Sequence, residues 1–126
     1  MENRKGEETK SECTFGFHDF VIDIGNTTFA CHTVKMDNCL YLWVGDSREK
    51  AMNDLSFAIE SPLEKEPVAT KILGSIANDA SSNLAKRLSK KLSKPVYVSF
   101  NVQVNISLPA IERKLQEEFN AHPEIF

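Results

Sequence analysis

The pattern of apolar and polar residues divides this chain into a strand-rich first half and a second half that adds two helices. Three runs rich in β-branched and aromatic residues span 17–24, 27–36 and 39–44. Gly25-Asn26 and Asp37-Asn38 separate these runs, and both dipeptides tolerate the positive φ angles that two-residue hairpin turns require. The first half therefore predicts a three-stranded antiparallel meander.

The rest of the chain predicts three more strands and two helices. The runs typical of strands span 55–60, 68–73 and 96–101. Apolar residues at helical spacing predict one helix over about 79–92 and a second from Ser107 to just before Pro123. This order of elements predicts an α+β fold, with an essentially antiparallel β-sheet of about six strands and two main helices packed on one face.

Polarity separates a short N-terminal tail from the rest of the chain. Residues 1–12 are almost wholly polar or charged, and they cannot bury enough apolar area to offset the entropy lost on folding. We expect a disordered tail over 1–12 and a single α+β domain over 13–126. No apolar run approaches the roughly 20 residues that span a bilayer, and a secretory signal is not evident. We therefore expect a cytoplasmic or nuclear protein with no membrane partner.

Two-residue turns would fix which residues lie opposite one another in the meander. They place Phe20 opposite Cys31, and Cys31 opposite Val44. One sheet face is then mainly apolar and suits a core beneath the helices; it carries Phe20, Ile22, Ile24, Phe29, Cys31, Leu40, Leu42 and Val44. The other face mixes polar groups with large amphipathic side chains; it carries Asp19, Val21, Asp23, Ala30, His32, Val34, Met36, Tyr41 and Trp43.

The second face is predicted to be available for a partner. Protein interfaces favour tyrosine, tryptophan and methionine among a few polar groups, and two helices of this length cover one face only. The predicted interface residues are Val21, His32, Val34, Tyr41 and Trp43. Two alternatives stay open: the connection 46–53 could shield the tryptophan within the same chain, and a one-residue register slip would exchange the two faces.

The first helix carries a concentrated positive charge. Five of the 15 basic residues of the chain lie between 86 and 94, so the remainder holds 10 basic against 18 acidic residues. Lys86, Arg87, Lys90 and Lys94 are the predicted electrostatic surface, which could meet an acidic protein or nucleic-acid phosphate, or could simply be a solvated helix face. No aromatic residues alternate with these cations, which argues against single-strand binding.

No catalytic constellation is evident. His32 would lie beside Asp19 across the strands and could be oriented as a general base, but no serine or cysteine nucleophile is placed with it. A structural or interface histidine is the more common case. The three histidines lack metal-ligand spacing, and the three cysteines indicate neither a disulfide framework nor a zinc site. We therefore expect no catalytic residue, no bound metal and no enzymatic activity.

Several segments, taken in order, resemble a known family. The most specific are Leu42-Trp43-Val44-Gly45, the run LAKRL at 84–88 followed by PVYVSFN at 95–101, and the closing EEFNAHPEIF at 117–126. Together they make the chain resemble the proteasome assembly chaperone 4 family over roughly 19–126. None of these segments is a catalytic signature, so the specificity comes from their order and spacing.

This resemblance implies a non-catalytic assembly chaperone without cofactors. Family members pair with proteasome assembly chaperone 3, and the pair promotes α-ring assembly of the 20S core particle through the proteasome α subunits. The competing interpretation is a small nucleic-acid-binding module that uses the basic helix around 86–94. The sequence leaves open which α subunit is bound, which surface contacts it, whether the isolated chain is a monomer or a homodimer, and what the tail does.

Overall fold

A computed structural model describes residues 15–47, 51–102, 108–124 and 126. The predicted tail over 1–12 and the predicted helix start at Ser107 lie outside these ranges. Six strands and two helices follow one another along the chain: β1 Gly16–Ile24, β2 Thr27–Lys35, β3 Leu40–Asp46, β4 Leu55–Ile59, β5 Val68–Leu73, α1 Ala80–Leu92, β6 Val96–Asn101 and α2 Leu108–Ala121. The fold is α+β, as predicted.

The first three strands form the predicted meander in the predicted register. Phe20 pairs with Cys31, and Cys31 pairs with Val44. Gly25 adopts a φ of +62°, which the first hairpin turn requires and which glycine accepts without strain. In the second turn the Met36 N–H donates to the Cys39 carbonyl at 2.9 Å. The assignment of residues to the two sheet faces is therefore confirmed for these strands.

The six strands form one sheet in the order β1-β2-β3-β6-β4-β5. Neighbouring strands are antiparallel except β3 and β6, which run parallel from Leu40 opposite Val96 to Gly45 opposite Asn101. The expected, essentially antiparallel sheet is thus mixed at its centre. The cause is α1, which carries the chain from β5 back across the sheet so that β6 enters beside β3 in the same direction.

Both helices pack on one face of the sheet, as predicted. Leu84 and Leu88 of α1, and Ile111 and Leu115 of α2, are buried in a single cluster. The sheet contributes the alternate side chains of the central strands to the same cluster: Ile22, Phe29, Cys31, Leu40, Leu42, Val44, Ala58, Val96, Val98 and Phe100. We call this the helix side of the sheet.

The opposite side of the sheet has no helix on it in the part of the chain that the structure describes. We call it the open face. From β1 to β5 in spatial order, the strand residues that define it are Phe17, Asp19, Val21, Asp23, Thr28, Ala30, His32, Val34, Tyr41, Trp43, Gly45, Tyr97, Ser99, Asn101, Leu55, Phe57, Ile59, Val68 and Thr70.

Candidate partner-binding face

One row of side chains crosses the open face from edge to edge. Each member pairs with the next on the neighbouring strand, and the row reads Phe17, Val34, Tyr41, Tyr97, Phe57, Thr70. Near its centre the Phe57 and Tyr97 rings lie 4.5 Å apart between centroids, which is close aromatic contact. Five of the six side chains are aliphatic or aromatic, so the row forms a continuous contact surface.

The apolar side chains of the open face remain exposed near both edges of the sheet. Phe17 is 75% exposed and Val21 is 61% exposed on β1, and Ile59 and Val68 are exposed at the other edge. Together with the half-buried row between them, these groups form an apolar surface of the kind that marks interaction sites on soluble domains. The predicted interface residues His32, Val34 and Tyr41 are half-buried between these edges, so four of the five predicted residues lie on accessible surface.

Trp43 differs from the expectation of an exposed anchor. Only 6% of it is exposed, because residues 51–54 fold across this end of the open face. The indole N–H donates to the Ala51 carbonyl at 3.0 Å, and the Asn53 N–H donates to the Asn101 side-chain oxygen at 2.8 Å. This is the alternative in which the connection after β3 shields the tryptophan, and we call residues 51–54 the shielding segment.

The packing of the Trp43 ring explains why position 45 is a glycine. A Cβ atom at this position would lie 2.6 Å from Cη2 of Trp43, closer than carbon atoms approach. The indole therefore lies directly against the backbone at Gly45, on the same side of β3. The Trp-x-Gly spacing was visible in the sequence, but its meaning depends on the orientation of the ring.

A shallow groove of about 250 Å³ opens beside the tryptophan, lined by His32, Tyr41, Trp43, Ala51 and Met52. The His32 ring lies 5.2 Å from the Trp43 ring between centroids, and its Nδ1 atom lies 2.8 Å from Oδ1 of Asp19. None of the described residues that line this groove is a serine or a cysteine. Its shallow, mainly aromatic lining suits an inserted side chain.

Tyr41 supplies a polar end to this groove. Burial raises the pKa of its hydroxyl, and a hydrogen bond with the Ser99 side chain opposes that rise. The hydroxyl therefore stays protonated at neutral pH and keeps both a donor and acceptor sites. A half-buried ring with a fixed hydroxyl is the kind of side chain that anchors protein interfaces.

A buried polar cluster, which the sequence did not reveal, lies on the helix side of β4 and β5. Lys71 forms an ion pair with Asp54, and its ammonium donates to Ser81 Oγ at 3.0 Å. Ser81 Oγ lies 2.7 Å from Ser56 Oγ. A lysine beside two serines resembles a nucleophile with its base, but the lysine is ion-paired with Asp54 and both serines are buried. We interpret the cluster as structural.

The cluster also fixes the shielding segment. The Asp54 carbonyl accepts the Ser99 hydroxyl at 2.6 Å, while its carboxylate holds Lys71. Gly74 has a φ of +112°, and a Cβ there would lie 2.9 Å from Oδ1 of Asp54. Asp54 therefore joins the open face, through Ser99, to the helix side, through Lys71.

The predicted electrostatic surface on α1 is partly neutralised. Arg87 forms an ion pair with Glu112 of α2, and Lys90 Nζ lies 3.0 Å from Glu66. Lys86 lines the same groove as these two cations. We call Lys86, Arg87 and Lys90 the basic flank.

Lys94 lies apart from the basic flank, which corrects its predicted position. Its ammonium donates to the Phe126 carbonyl at 2.6 Å. Burial, and secondarily the charge of Lys35, lowers the pKa of Lys94. Beyond the helix end the side chain turns toward the last residue of the sequence, so it does not contribute to the same surface as Lys86.

The comparisons with known proteins agree on one family. Residues 28–102 match the family model for proteasome assembly chaperone 4. The human proteasome assembly chaperone 4 is 33% identical over 111 residues, covering 86% of this chain and 89% of the relative. The mouse proteasome assembly chaperone 4 is 30% identical over 125 residues, covering 95% and 99%. The chain belongs to the proteasome assembly chaperone 4 family.

A solved structure shows the same fold. A chain from the crystal structure of a novel chaperone complex for yeast 20S proteasome assembly superposes with a TM-score of 0.65 at 16% identity, covering 85% of this chain and 96% of that chain. The family match at 28–102 includes the Trp43–Gly45 packing, the shielding segment and the basic flank. The two full-length relatives extend the similarity to most of the chain.

Among the described residues, no group of three histidine, cysteine, aspartate or glutamate side chains is arranged to hold a metal ion. The helices in the described ranges are not long and apolar enough to cross a membrane.

Proposed function

We propose that this chain is an assembly chaperone of the 20S proteasome that works as a pair with a proteasome assembly chaperone 3-like subunit. Together they promote α-ring assembly by contacting proteasome α subunits. Membership of the proteasome assembly chaperone 4 family supports this role, and the solved relative is a chain of a chaperone complex for yeast 20S assembly. The observation that carries the pairing is the row of mainly aromatic and aliphatic side chains across the open face, together with the exposed apolar groups near both edges of the sheet.

The proposed action is non-catalytic. The one lysine–serine arrangement described above is buried and ion-paired. The Asp19–His32 pair faces a groove without a nucleophile. Binding energy from apolar and aromatic side chains is what an assembly chaperone requires, and the open face offers it. The chain is proposed to act in the cytoplasm or nucleus, and the free thiols of Cys31 and Cys39 are compatible with a reducing compartment.

The nucleic-acid alternative is not favoured by any observation in the structure. Two of the three cations on the basic flank already face Glu112 or Glu66, and Lys94 lies elsewhere. Phosphate binding needs a continuous positive surface. We therefore retain the chaperone function alone.

Disruption of the open face tests the pairing. The chain is co-expressed with the proteasome assembly chaperone 3-like protein of the same organism, and complex formation is measured by size-exclusion chromatography with light scattering. Ile59→Glu places a charge on an exposed apolar position of the open face, near the sheet edge opposite β1, so it should abolish the complex while leaving the melting temperature nearly unchanged. Ile76→Glu is the matched control, because Ile76 is 88% exposed but lies in a loop outside the sheet.

The second half of the test concerns α subunits. The wild-type pair, added to purified α subunits, should increase the yield of α-rings, and the Ile59→Glu chain mixed with the second chaperone should not. A wild-type chain that binds neither the second chaperone nor any α subunit would exclude the proposed function. An Ile59→Glu chain that still pairs would show that the partner uses another surface.

A further inference from the structure

Charge is sorted between the two sides of the sheet. Within the strands that the structure describes, lysine or arginine occurs at only two positions, Lys35 and Lys71, and both side chains lie on the helix side. Lys35 Nζ donates to the Glu124 carbonyl at 2.9 Å, and Lys71 is paired with Asp54. The strand residues of the open face therefore contain no permanent cation, although they include two carboxylates.

Both carboxylates of the open face lie on the edge strand β1. They are Asp19, whose side chain is 71% exposed, and Asp23, which is also exposed. Asp19 Oδ1 lies 2.8 Å from Nδ1 of His32, and Asp23 Oδ1 accepts the Thr28 hydroxyl at 2.7 Å. Each contact orients its carboxylate, and each is made through Oδ1. The exposed side chains of Phe17 and Val21 alternate with them along the same strand.

Any protein that covers the open face must therefore accommodate these two negative charges. Covering a carboxylate without a counter-charge removes its hydration at a substantial cost in free energy. A second copy of this chain, packed through the same face, would bring two more carboxylates and no lysine or arginine from its strands. Whichever way the copies were turned, β1 would meet an uncharged or a negative strand.

We propose that the open face selects a different protein, one whose own contact surface is apolar and carries lysine or arginine opposite β1. Asp19 and Asp23 are the residues that determine this selectivity, by attracting such a partner and by opposing self-association through the same face. The inference rests on the proposed pairing with a second chaperone, and it assigns the chemistry that distinguishes that partner from a second copy.

Charge reversal at β1 tests the assignment. The double variant Asp19→Lys with Asp23→Lys is compared with the neutral variant Asp19→Asn with Asp23→Asn, using titration calorimetry against the proteasome assembly chaperone 3-like protein at low and high salt. We expect the reversed variant to bind about tenfold more weakly or worse at low salt, and the neutral variant to lie between it and the wild type. The difference should shrink at high salt.

Two controls keep the result specific. Glu117→Lys reverses one exposed carboxylate of α2, remote from the open face, and should change the affinity less than about twofold, whereas the single reversal Asp19→Lys should weaken binding more. A lysine or arginine on the partner's contact surface, replaced by aspartate, should restore binding to the reversed variant. Melting curves are recorded for every variant to show that the domain is folded. The melting temperatures should match that of the wild type, because the altered side chains are exposed.

The outcomes separate this inference from the proposed function. Equal binding by the wild-type and reversed chains would overturn the charge selectivity while leaving the pairing intact. A wild-type chain that forms a stable homodimer in sedimentation experiments, lost on Val21→Glu, would overturn it as well. A wild-type chain with no affinity for the second chaperone would overturn the proposed pairing, and the selectivity with it.

Discussion

At the scale of single residues, Tyr41 and Trp43 occupy the same side of β3 yet should respond differently to truncation. Trp43→Ala would leave a cavity beneath the shielding segment, and loss of a buried tryptophan typically costs about 3–5 kcal/mol of stability. Tyr41→Ala removes a half-buried groove side chain, so it should cost less stability and weaken pairing, by about 2 kcal/mol or more if it is a central anchor. Chemical denaturation and partner titration measure the two effects separately.

The opposite result would change the assignment of this face. If Trp43→Ala kept its stability but lost pairing, the shielding segment would have to leave the tryptophan when the partner binds. If Tyr41→Ala paired like the wild type, the contact surface would lie closer to the sheet edges, around Phe17 or Ile59.

Cys31 gives a second prediction at this scale. Burial, with a smaller contribution from the charge of Glu118, raises the pKa of its thiol from 9.0 to about 12. Because the thiolate is the reactive form, Cys31 should resist iodoacetamide at pH 8 in the folded protein, while the half-buried Cys39 reacts faster. Mass spectrometry with and without denaturant measures both rates. Rapid alkylation of Cys31 in the folded state would contradict its burial.

The same shift predicts how this residue affects stability in alkaline solution. The folded state keeps the Cys31 proton up to about pH 12, whereas the unfolded state loses it near pH 9. The folded state therefore binds more protons between these values, and the contribution of Cys31 to stability falls as pH rises through this window. The Cys31→Ala chain should lose less stability than the wild type over the same pH range.

At the scale of elements, the ion pair between Lys71 and Asp54 connects β5 to the shielding segment. Removing one member of a buried pair leaves an uncompensated charge, which typically costs about 3–5 kcal/mol. Asp54→Ala and Lys71→Met should each destabilise the domain by about this amount, and the double variant by clearly less than their sum. Urea denaturation of the four proteins completes the cycle. Strict additivity would show that the two groups do not act as a pair.

The elements that local sequence determines were predictable, and those that depend on distant pairing were not. The turn dipeptides and the alternation of apolar and polar residues were sufficient to predict the three-stranded meander. With two-residue turns, only one register keeps Cys31 and Leu42 on the apolar side of the sheet. The local sequence of β6 does not show whether this strand lies beside β3 or at an edge of the sheet. Its parallel pairing with β3 is made only after the chain has crossed the sheet through α1. The predicted, essentially antiparallel sheet is therefore confirmed except for that one parallel pair of strands.

The candidate site shows the same division. Val21, His32, Val34 and Tyr41 followed from the register, since strand alternation places them on one side. The burial of Trp43 did not follow, because it depends on where residues 51–54 fold and on an indole that lies against Gly45. The buried pairing of Lys71 with Asp54 joins residues 17 positions apart, so spacing alone gave no signal for it.

At the scale of the whole molecule, the two candidate surfaces lie on opposite layers. The open face offers apolar contact with two carboxylates at one edge, whereas the basic flank lies on α1 in the helix layer. One partner can therefore cover the open face while an α subunit approaches the flank, without competition for the same residues. This arrangement predicts that variants of one surface leave binding at the other unchanged.

Electrostatic steering by the basic flank can be tested with Lys86. Arg87 and Lys90 also hold Glu112 and Glu66, so their reversal perturbs contacts within the chain, whereas Lys86→Glu is the cleaner first change. The triple reversal with Arg87→Glu and Lys90→Glu should slow association of the chaperone pair with its α subunit by about tenfold at low salt. Dissociation should change less, because steering acts on encounter.

Salt and a matched control decide the matter. Screening over a Debye length of about 10 Å at 0.1 M should reduce the effect of the reversals as salt rises. Lys114→Glu makes the same change at an exposed position of α2 outside the flank, and it should alter the association rate less than Lys86→Glu. Stopped-flow fluorescence with the purified pair gives both rate constants. An association rate that ignores the reversals and the salt concentration would leave the flank as ordinary solvated surface, because charges that steer an encounter cannot be insensitive to screening.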